Sequence, residues 1–447
     1  MVAGPLLIVI FLVSIIFIIL MTSKIRMNAF YVLILAALGV GLASGMSMEN
    51  IVKVIKDGFG GTMGSIGIVI ICGTTIGVLL ERTGAAFSLA DAILRIVGQK
   101  LVPLAMSISG FIVGIPIFCD SGFVVLSTLN KALAERAKIS MSIMAVALGT
   151  ALYSIHCLIP PHPGATGAAG IIGVDLGRVI MLGLPIAIFP AFVGYLWAIK
   201  IGRKYDVPAV PDVTYEQLQA KHATMPNPLH AAIPIIIPVI LIALKSIGLL
   251  PGHPFGTGAV YNIFVLIGDP QIALLIGVFL ALTLVRSWTK EVLGNWLVDG
   301  VEKAGVILAI TAAGGAFGAI LKATPIGAYI GSTLATLGLG IFIPFIIAVA
   351  LKTAQGSSTV AILTTAALVS PMLASLGLAS GWGPTIAVLA MGAGSMIASH
   401  ANDSYFWVVS RFSNLDVPTA LKVYTTSTIV TGVTAMVMIS LLSLILL

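Results

Sequence analysis

Ser154-Ile155-His156-Cys157-Leu158-Ile159-Pro160-Pro161-His162-Pro163-Gly164 lies between two apolar runs. Each of its three prolines removes a backbone donor and clashes with the preceding helical turn, and a glycine follows, so no continuous helix passes through it. In a soluble protein this would be an ordinary loop. Here it sits in a chain of 447 residues that is 59% hydrophobic and 9% charged, with a mean hydropathy of +1.14, outside the range of a water-soluble domain. The solvent is therefore a bilayer. Backbone that leaves the helix at membrane depth must be buried in protein or line a cavity. His156 and His162, which flank the prolines, become candidate site residues, because imidazole titrates near neutral pH and can donate to a carboxylate. A structural hydrogen-bonding role is the plainer reading of each.

Three further breaks of this kind interrupt apolar sequence. Gly110, Gly114 and Pro116 lead into Phe118-Cys119-Asp120-Ser121-Gly122-Phe123, where an ionised acid among apolar residues needs a partner or water. Asp120 reads either as a coupling or ligand group or as an N-cap in the interface. Lys352-Thr353-Ala354-Gln355-Gly356-Ser357-Ser358-Thr359 precedes the apolar run 360–369. There glycine frees the backbone and Ser and Thr cap a half-helix whose N-terminus attracts anions. Such hydroxyls also serve to join helices. Ser399-His400-Ala401-Asn402-Asp403-Ser404 is the last break and makes Asp403 a second candidate proton site.

A spanning helix needs roughly 20 apolar residues, and runs of this type occur at 5–20, 29–43, 66–80, 179–199, 233–244, 273–285, 306–321, 341–351 and 429–447. The first lacks a basic leader, since Lys24 and Arg26 follow it, and is expected to be a retained helix rather than a signal peptide. Cys72, Cys119 and Cys157 have no CxxC spacing, so neither a disulfide framework nor a zinc site is expected, and buried packing is the default. No cofactor or metal is expected. The net charge of +7 resides in short loops, where it orients the chain in the membrane rather than binding nucleic acid. The glycine-rich stretches 58–64 and 313–318 lack the GKS or GKT of a phosphate loop, so ATP drive is unsupported. They read as close helix packing. An intramembrane hydrolase built on His156, His162, His400 and Asp403 is the rival from another class, but HExxH and GxSxG are both missing.

The chain also carries a weak internal repeat. Asp57-Gly58 and Asp299-Gly300 differ by 299 − 57 = 242, and Thr83 and Thr324 by 324 − 83 = 241. Asp120-Ser121-Gly122 falls opposite Gln355-Gly356-Ser357, and His156 opposite His400. Lys24 and Arg26 mark an inner loop, whereas the matching stretch 250–267 has no Lys or Arg; Arg286, Lys290 and Lys303 mark an inner loop opposite an outer one at 45–58. The copies therefore read as inverted, 1–199 and 228–447, joined by a polar cytoplasmic linker at 200–227. Duplicated membrane proteins place their site where such copies meet.

Assembled, these residues resemble the gluconate permease family, a branch of the ion transporter superfamily, over nearly the whole chain. The resemblance rests on Asn28-Ala29-Phe30, Gly60-Gly61-Thr62-Met63-Gly64-Ser65, Pro160-Pro161-His162-Pro163-Gly164, Gly314-Gly315-Ala316-Phe317, Gly356-Ser357-Ser358-Thr359-Val360-Ala361 and His400-Ala401-Asn402-Asp403 with Phe406-Trp407. It departs where several relatives carry Glu at the position of Asp120 and a residue other than Ser357 beside Gly356, which leaves the substrate open. The resemblance implies proton symport of gluconate or a related small hydroxylated carboxylate into the cytoplasm, with sodium coupling or D-serine transport as alternatives. It also implies an all-α polytopic membrane protein with inverted repeats, re-entrant hairpins, about 12 membrane helices and an elevator-like transport domain moving on a scaffold.

On this reading the half-helix N-termini at Ser121–Gly122 and at Ser357, Ser358 and Thr359 hold the carboxylate, while Asn402, Gln355 and nearby hydroxyls bond its OH groups. Gly356, His156, His162 and His400 complete the expected substrate site. Asp120, Asp403, His156 or His400 takes the proton. The expected partners are a sugar acid, a proton, the lipid bilayer and no nucleic acid, with a homodimer as an open assembly. The expected location is a bacterial inner membrane, with both termini periplasmic.

Overall fold

The computed structural model describes residues 4–211, 213–222, 225–249, 254–256 and 258–447, and every regular element among them is helical. The first half contains α1 (Leu6–Ile19), α2 (Ala29–Ala43), α3 (Met48–Arg82), α4 (Ala85–Val97), α5 (Val102–Val113), α6 (Cys119–Ala137), α7 (Met141–Leu158), α8 (Pro163–Ile172) and α9 (Leu176–Ile201). A short α10 (Tyr215–His222) lies in the polar connection. The second half contains α11 (Pro228–Gly248), α12 (Ala259–Ile267), α13 (Pro270–Leu282), α14 (Leu297–Ala323), α15 (Ile326–Ala335), α16 (Phe342–Gln355), α17 (Ser358–Val369), α18 (Gly383–Met396), α19 (Ser404–Phe412), α20 (Val417–Ala420) and α21 (Thr426–Leu446).

Six of the described helical segments are long and apolar enough to cross a membrane, or eight when the bent pairs α4–α5 (109°) and α12–α13 (68°) each count as one span. This is fewer than the dozen expected. The remaining apolar helices are only 10–17 residues long, and at 1.5 Å per residue a helix of that size falls short of a hydrocarbon core about 30 Å thick. The expected loop at 45–58 is instead the first turns of α3, which runs for 35 residues. Within 250–267, Ala259–Ile267 forms α12, a mostly apolar stretch interrupted by Asn262; residues 250–253 and 257 lie outside the described residues, as do 212, 223 and 224 of the expected linker.

The helix starts of the two halves march together. Those of α7 and α18 differ by 383 − 141 = 242, of α8 and α19 by 404 − 163 = 241, and of α6 and α17 by 358 − 119 = 239. These boundaries pair the breaks differently from the sequence match: Asp120 falls opposite Thr359 (120 + 239), and His162, not His156, falls opposite Asp403 (403 − 162 = 241). Packing follows the same correspondence. As α5 packs on α7, α16 packs on α18; as α6 packs on α19, α17 packs on α8; and as α13 packs on α3, α2 packs on α14.

The largest helix contact joins α3 to α14 in antiparallel register, through the two glycine-rich stretches. A Cβ on Gly58 would come within 2.6 Å of Ala319 and 3.0 Å of Ala316, and a Cβ on Gly300 within 2.4 Å of Thr75. Gly300 and Gly58 are 242 apart (300 − 58), and Ala316 and Thr75 are 241 apart (316 − 75), so each contact is the counterpart of the other. Thr74 Oγ1 donates to the Gly300 carbonyl at 2.7 Å, and Lys303–Glu81 (3.3 Å) and Arg82–Asp299 ion pairs close one end. At the centre, α7 and α8 have 94% of their apolar window inside the protein, against 28% for the α20–α21 span, which turns most of its surface outward.

Candidate functional site

Four helix N-termini and the last turn of α7 converge on one cavity of about 220 Å³, lined by Phe118, Cys119 and Asp120 of the α6 start, His156 of α7, Pro163 of the α8 start, Ser357, Ser358, Thr359 and Val360 of the α17 start, and Asp403, Ser404 and Tyr405 of the α19 start. Ile307 and Ile310 of α14 close an apolar side. Each contributing chain segment bends here for a reason legible locally. Gly114 and Pro116 end α5, the prolines at 160, 161 and 163 separate α7 from α8, and Gly356 ends α16 with φ +87°. Gly356 is also required sterically, since a Cβ there would lie 2.1 Å from the Asn402 carbonyl oxygen.

The two hairpin tips differ in how their helix N-termini are finished. The N-cap of α17 is Ser357, whose Oγ accepts from Val360 N at 3.3 Å. The N-cap of α6 is Phe118, which offers no side-chain cap. The first turn of α6 carries Asp120. Unsatisfied donors with the positive end of the helix dipole form an anion site. Asp120 makes no ion pair among the described residues; the Cys119 thiol lies 3.6 Å from its Oδ2.

Asp403 is bound on every side. Its Oδ1 accepts from Tyr405 N at 3.1 Å, and its Oδ2 accepts from the Lys352 ammonium at 2.6 Å and from the Ser399 hydroxyl. Lys352 is fully buried and also donates to the Gly356 carbonyl. Sequence reasoning quoted Lys352 but gave it no role. The signal was available, since a lysine ending the apolar run 341–351 is an intramembrane charge that demands a partner.

His156 and His162 are buried side by side, with ring centroids 4.9 Å apart, and Phe118 covers both. His162 Nε2 donates to the Gly114 carbonyl at 2.6 Å, which fixes the hydrogen on that nitrogen. Nδ1 of each ring has no protein partner. Of the expected site residues, Asp120, His156, Ser357, Ser358, Thr359 and Asp403 line the cavity. His162 and Gly356 support it from behind. Gly122 packs against Leu152, and Ser121 opens on a small neighbouring crevice with Thr74 and Lys303. His400 and Asn402 both bond the Thr353 carbonyl, at 3.2 and 2.9 Å, while Gln355 accepts from Thr22 at 3.3 Å; these three stand outside the cavity wall. Tyr405, held by the Gly149 carbonyl at 3.0 Å, was not anticipated as part of it.

The model of the GntP permease family matches residues 6–445. An uncharacterised permease of Haemophilus influenzae is 35% identical over 91% of this chain and 85% of its own length. A gluconate permease of Pseudomonas aeruginosa is 33% identical over 97% of both chains. Among solved structures, MtrF of Neisseria gonorrhoeae, from a class of antimetabolite efflux pumps, superposes with a TM-score of 0.58 at 19% identity, covering 88% of this chain and 84% of that one.

Proposed function

This chain belongs to the GntP permease family and is a multi-pass membrane transporter rather than an enzyme, and from that membership we propose that it is a proton symporter carrying gluconate or a related small hydroxylated carboxylate into the cytoplasm. One observation carries the coupling: Asp120, with no ion-pair partner among the described residues, shares its cavity with the N-terminus of α6, which has no side-chain cap, and the capped N-terminus of α17. Both helix ends favour an anion. An ionised Asp120 repels that same anion across a cavity of low dielectric, and a protonated one does not. Substrate carboxylate and proton therefore bind as a pair and cross as a neutral sum. His156, on the same wall, donates to a substrate hydroxyl or passes the proton, and the hydroxyls of Ser358 and Thr359 read the polyol chain.

The wider arrangement belongs to the same proposal. Residues 1–199 and 228–447 are two inverted copies and 200–227 their cytoplasmic linker, in a bacterial inner membrane with both termini periplasmic. The offsets of 239 to 242 between the starts of α6, α7 and α8 and those of α17, α18 and α19, with the antiparallel pairing of α3 with α14, support the inversion. The half-helices around the cavity form the moving transport domain, and the outward-facing helices such as α21 the scaffold. The experiment is uptake of radiolabelled gluconate, with sugar acids and D-serine as competitors, into vesicles of purified protein under imposed gradients. Accumulation driven by an inside-alkaline pH gradient is expected. Accumulation driven only by a sodium gradient, or flux that never exceeds equilibrium, would sink the proposal.

A further inference from the structure

Lys352 and Asp403 form a buried ion pair that the coupling scheme above does not use. The ammonium sits against Asp403 Oδ2 at 2.6 Å, the Gly356 carbonyl, and the ring of Tyr153, whose centroid is 5.6 Å away. Gly356 is the C-cap of α16, so its carbonyl belongs to the negative end of a helix dipole. A carboxylate, a helix-terminal carbonyl and an aromatic face are together what a small monovalent cation is held by.

The first half has the same junction without charge. There the C-cap of α5 is Gly114 and the N-cap of α8 is His162, at offsets of 356 − 114 = 242 and 403 − 162 = 241 from Gly356 and Asp403. A neutral imidazole bonded to the Gly114 carbonyl joins hairpin to half-helix. The mechanical tie therefore needs no ions. Burying an ion pair where a neutral contact suffices seldom adds stability, so the pair in the second half has another role.

We propose that Lys352 is a tethered cation: its ammonium permanently fills the cage that Gly356 and Asp403 would otherwise offer to a mobile monovalent cation, so that Asp403 is already paired and this half of the site binds no sodium. The inference rests on the transporter reading and specifies its coupling, leaving Asp120 as the cavity acid free to exchange a proton. The titratable groups facing the pair are Cys119 and Asp120 of α6, Tyr153, His156 and Cys157 of α7, Tyr405 of α19 and Tyr424. None carries a fixed positive charge that would replace Lys352.

The test is thermal melting of the purified full chain in sodium chloride against choline chloride at equal ionic strength. The native protein is expected to melt identically in both. Lys352→Ala is expected to melt lower in choline and to recover several degrees in sodium, by binding a cation that only the folded state holds. The Lys352→Met, Asp403→Asn double variant, which has no cage, is expected to show no sodium effect. Lys352→Gln, which keeps hydrogen-bonding capacity but leaves Asp403 uncompensated, is measured alongside in case the alanine variant does not fold. A sodium-specific gain in the native protein, or none in the single variants, overturns the proposal. Because melting needs no substrate, failure of gluconate uptake by the native protein would refute the substrate reading while this result stood or fell separately.

Discussion

At the first hairpin, α5–α6, the tip is uncapped and carries an acid without an ion-pair partner, and the carbonyl behind it is held by a neutral histidine. At the second, α16–α17, the tip is capped by a serine, and the carbonyl behind it is held by a lysine that is itself paired with an acid. Gly114 and His162 lie 242 and 241 residues before Gly356 and Asp403, yet among the described residues the first junction has no ion pair and the second has a buried one. Symmetry of backbone thus coexists with division of labour. On the proposed reading the exchangeable site lies at the α5–α6 junction and the fixed electrostatic frame at the α16–α17 junction.

Asp120→Asn breaks this division most severely. Accumulation of gluconate driven by a pH gradient is expected to fall to the level of empty vesicles, while exchange of internal for external substrate persists. The residual exchange is expected to lose its dependence on external pH. In the native protein uptake is expected to rise as external pH falls, because the neutral carboxyl is the form that tolerates a neighbouring anion. Full concentrative uptake by the variant would move the proton site elsewhere.

The next effect concerns stability. Lys352→Met leaves Asp403 charged in the interior, and loss of a partner from a buried pair costs about 3–5 kcal/mol. Melting in detergent should drop sharply, and adding Asp403→Asn should restore most of the loss, since no charge then stays uncompensated. His162→Leu, at the equivalent junction, deprives only the Gly114 carbonyl of its donor, a cost of about 1–3 kcal/mol. An equal drop for His162→Leu and Lys352→Met would erase the distinction between the two junctions. The smallest effect is expected from Ser357→Ala. Its hydroxyl caps α17 at 3.3 Å from an exposed position, and loss of an N-cap costs about 0.5–2 kcal/mol. A change in gluconate affinity well beyond that in melting would mean that Ser357 contacts substrate as well as capping its helix.

Much of the cavity was legible before any coordinates. Asp120, His156, Ser357 to Thr359 and Asp403 stand out because polar residues next to Gly and Pro inside apolar sequence have to be explained. Gln355, His400 and Asn402 met the same criterion and yet face away from the cavity, toward Thr22 and the Thr353 carbonyl. A break in a helix announces itself in sequence, but the direction in which its side chains point depends on what packs behind it. The expected pairing of His156 with His400 differs from the register of the helix starts for a related reason. Residue identity had drifted, whereas helix boundaries kept their spacing, so His162 and Asp403 correspond in place while differing in chemistry.

By itself the sequence determined the solvent of this protein, the positions where its helices stop, and the residues that membrane burial would make expensive. Those follow from composition and from backbone stereochemistry, which act over a few neighbouring residues. Only the tertiary structure decided that Lys352 answers Asp403 from 51 residues away, that Ile307, Ile310 and Tyr405 wall the cavity, and that Asp120 lacks an ion-pair partner among the described residues. Whether a charge is paired depends on distance in space, and that distance is set by how the helices pack.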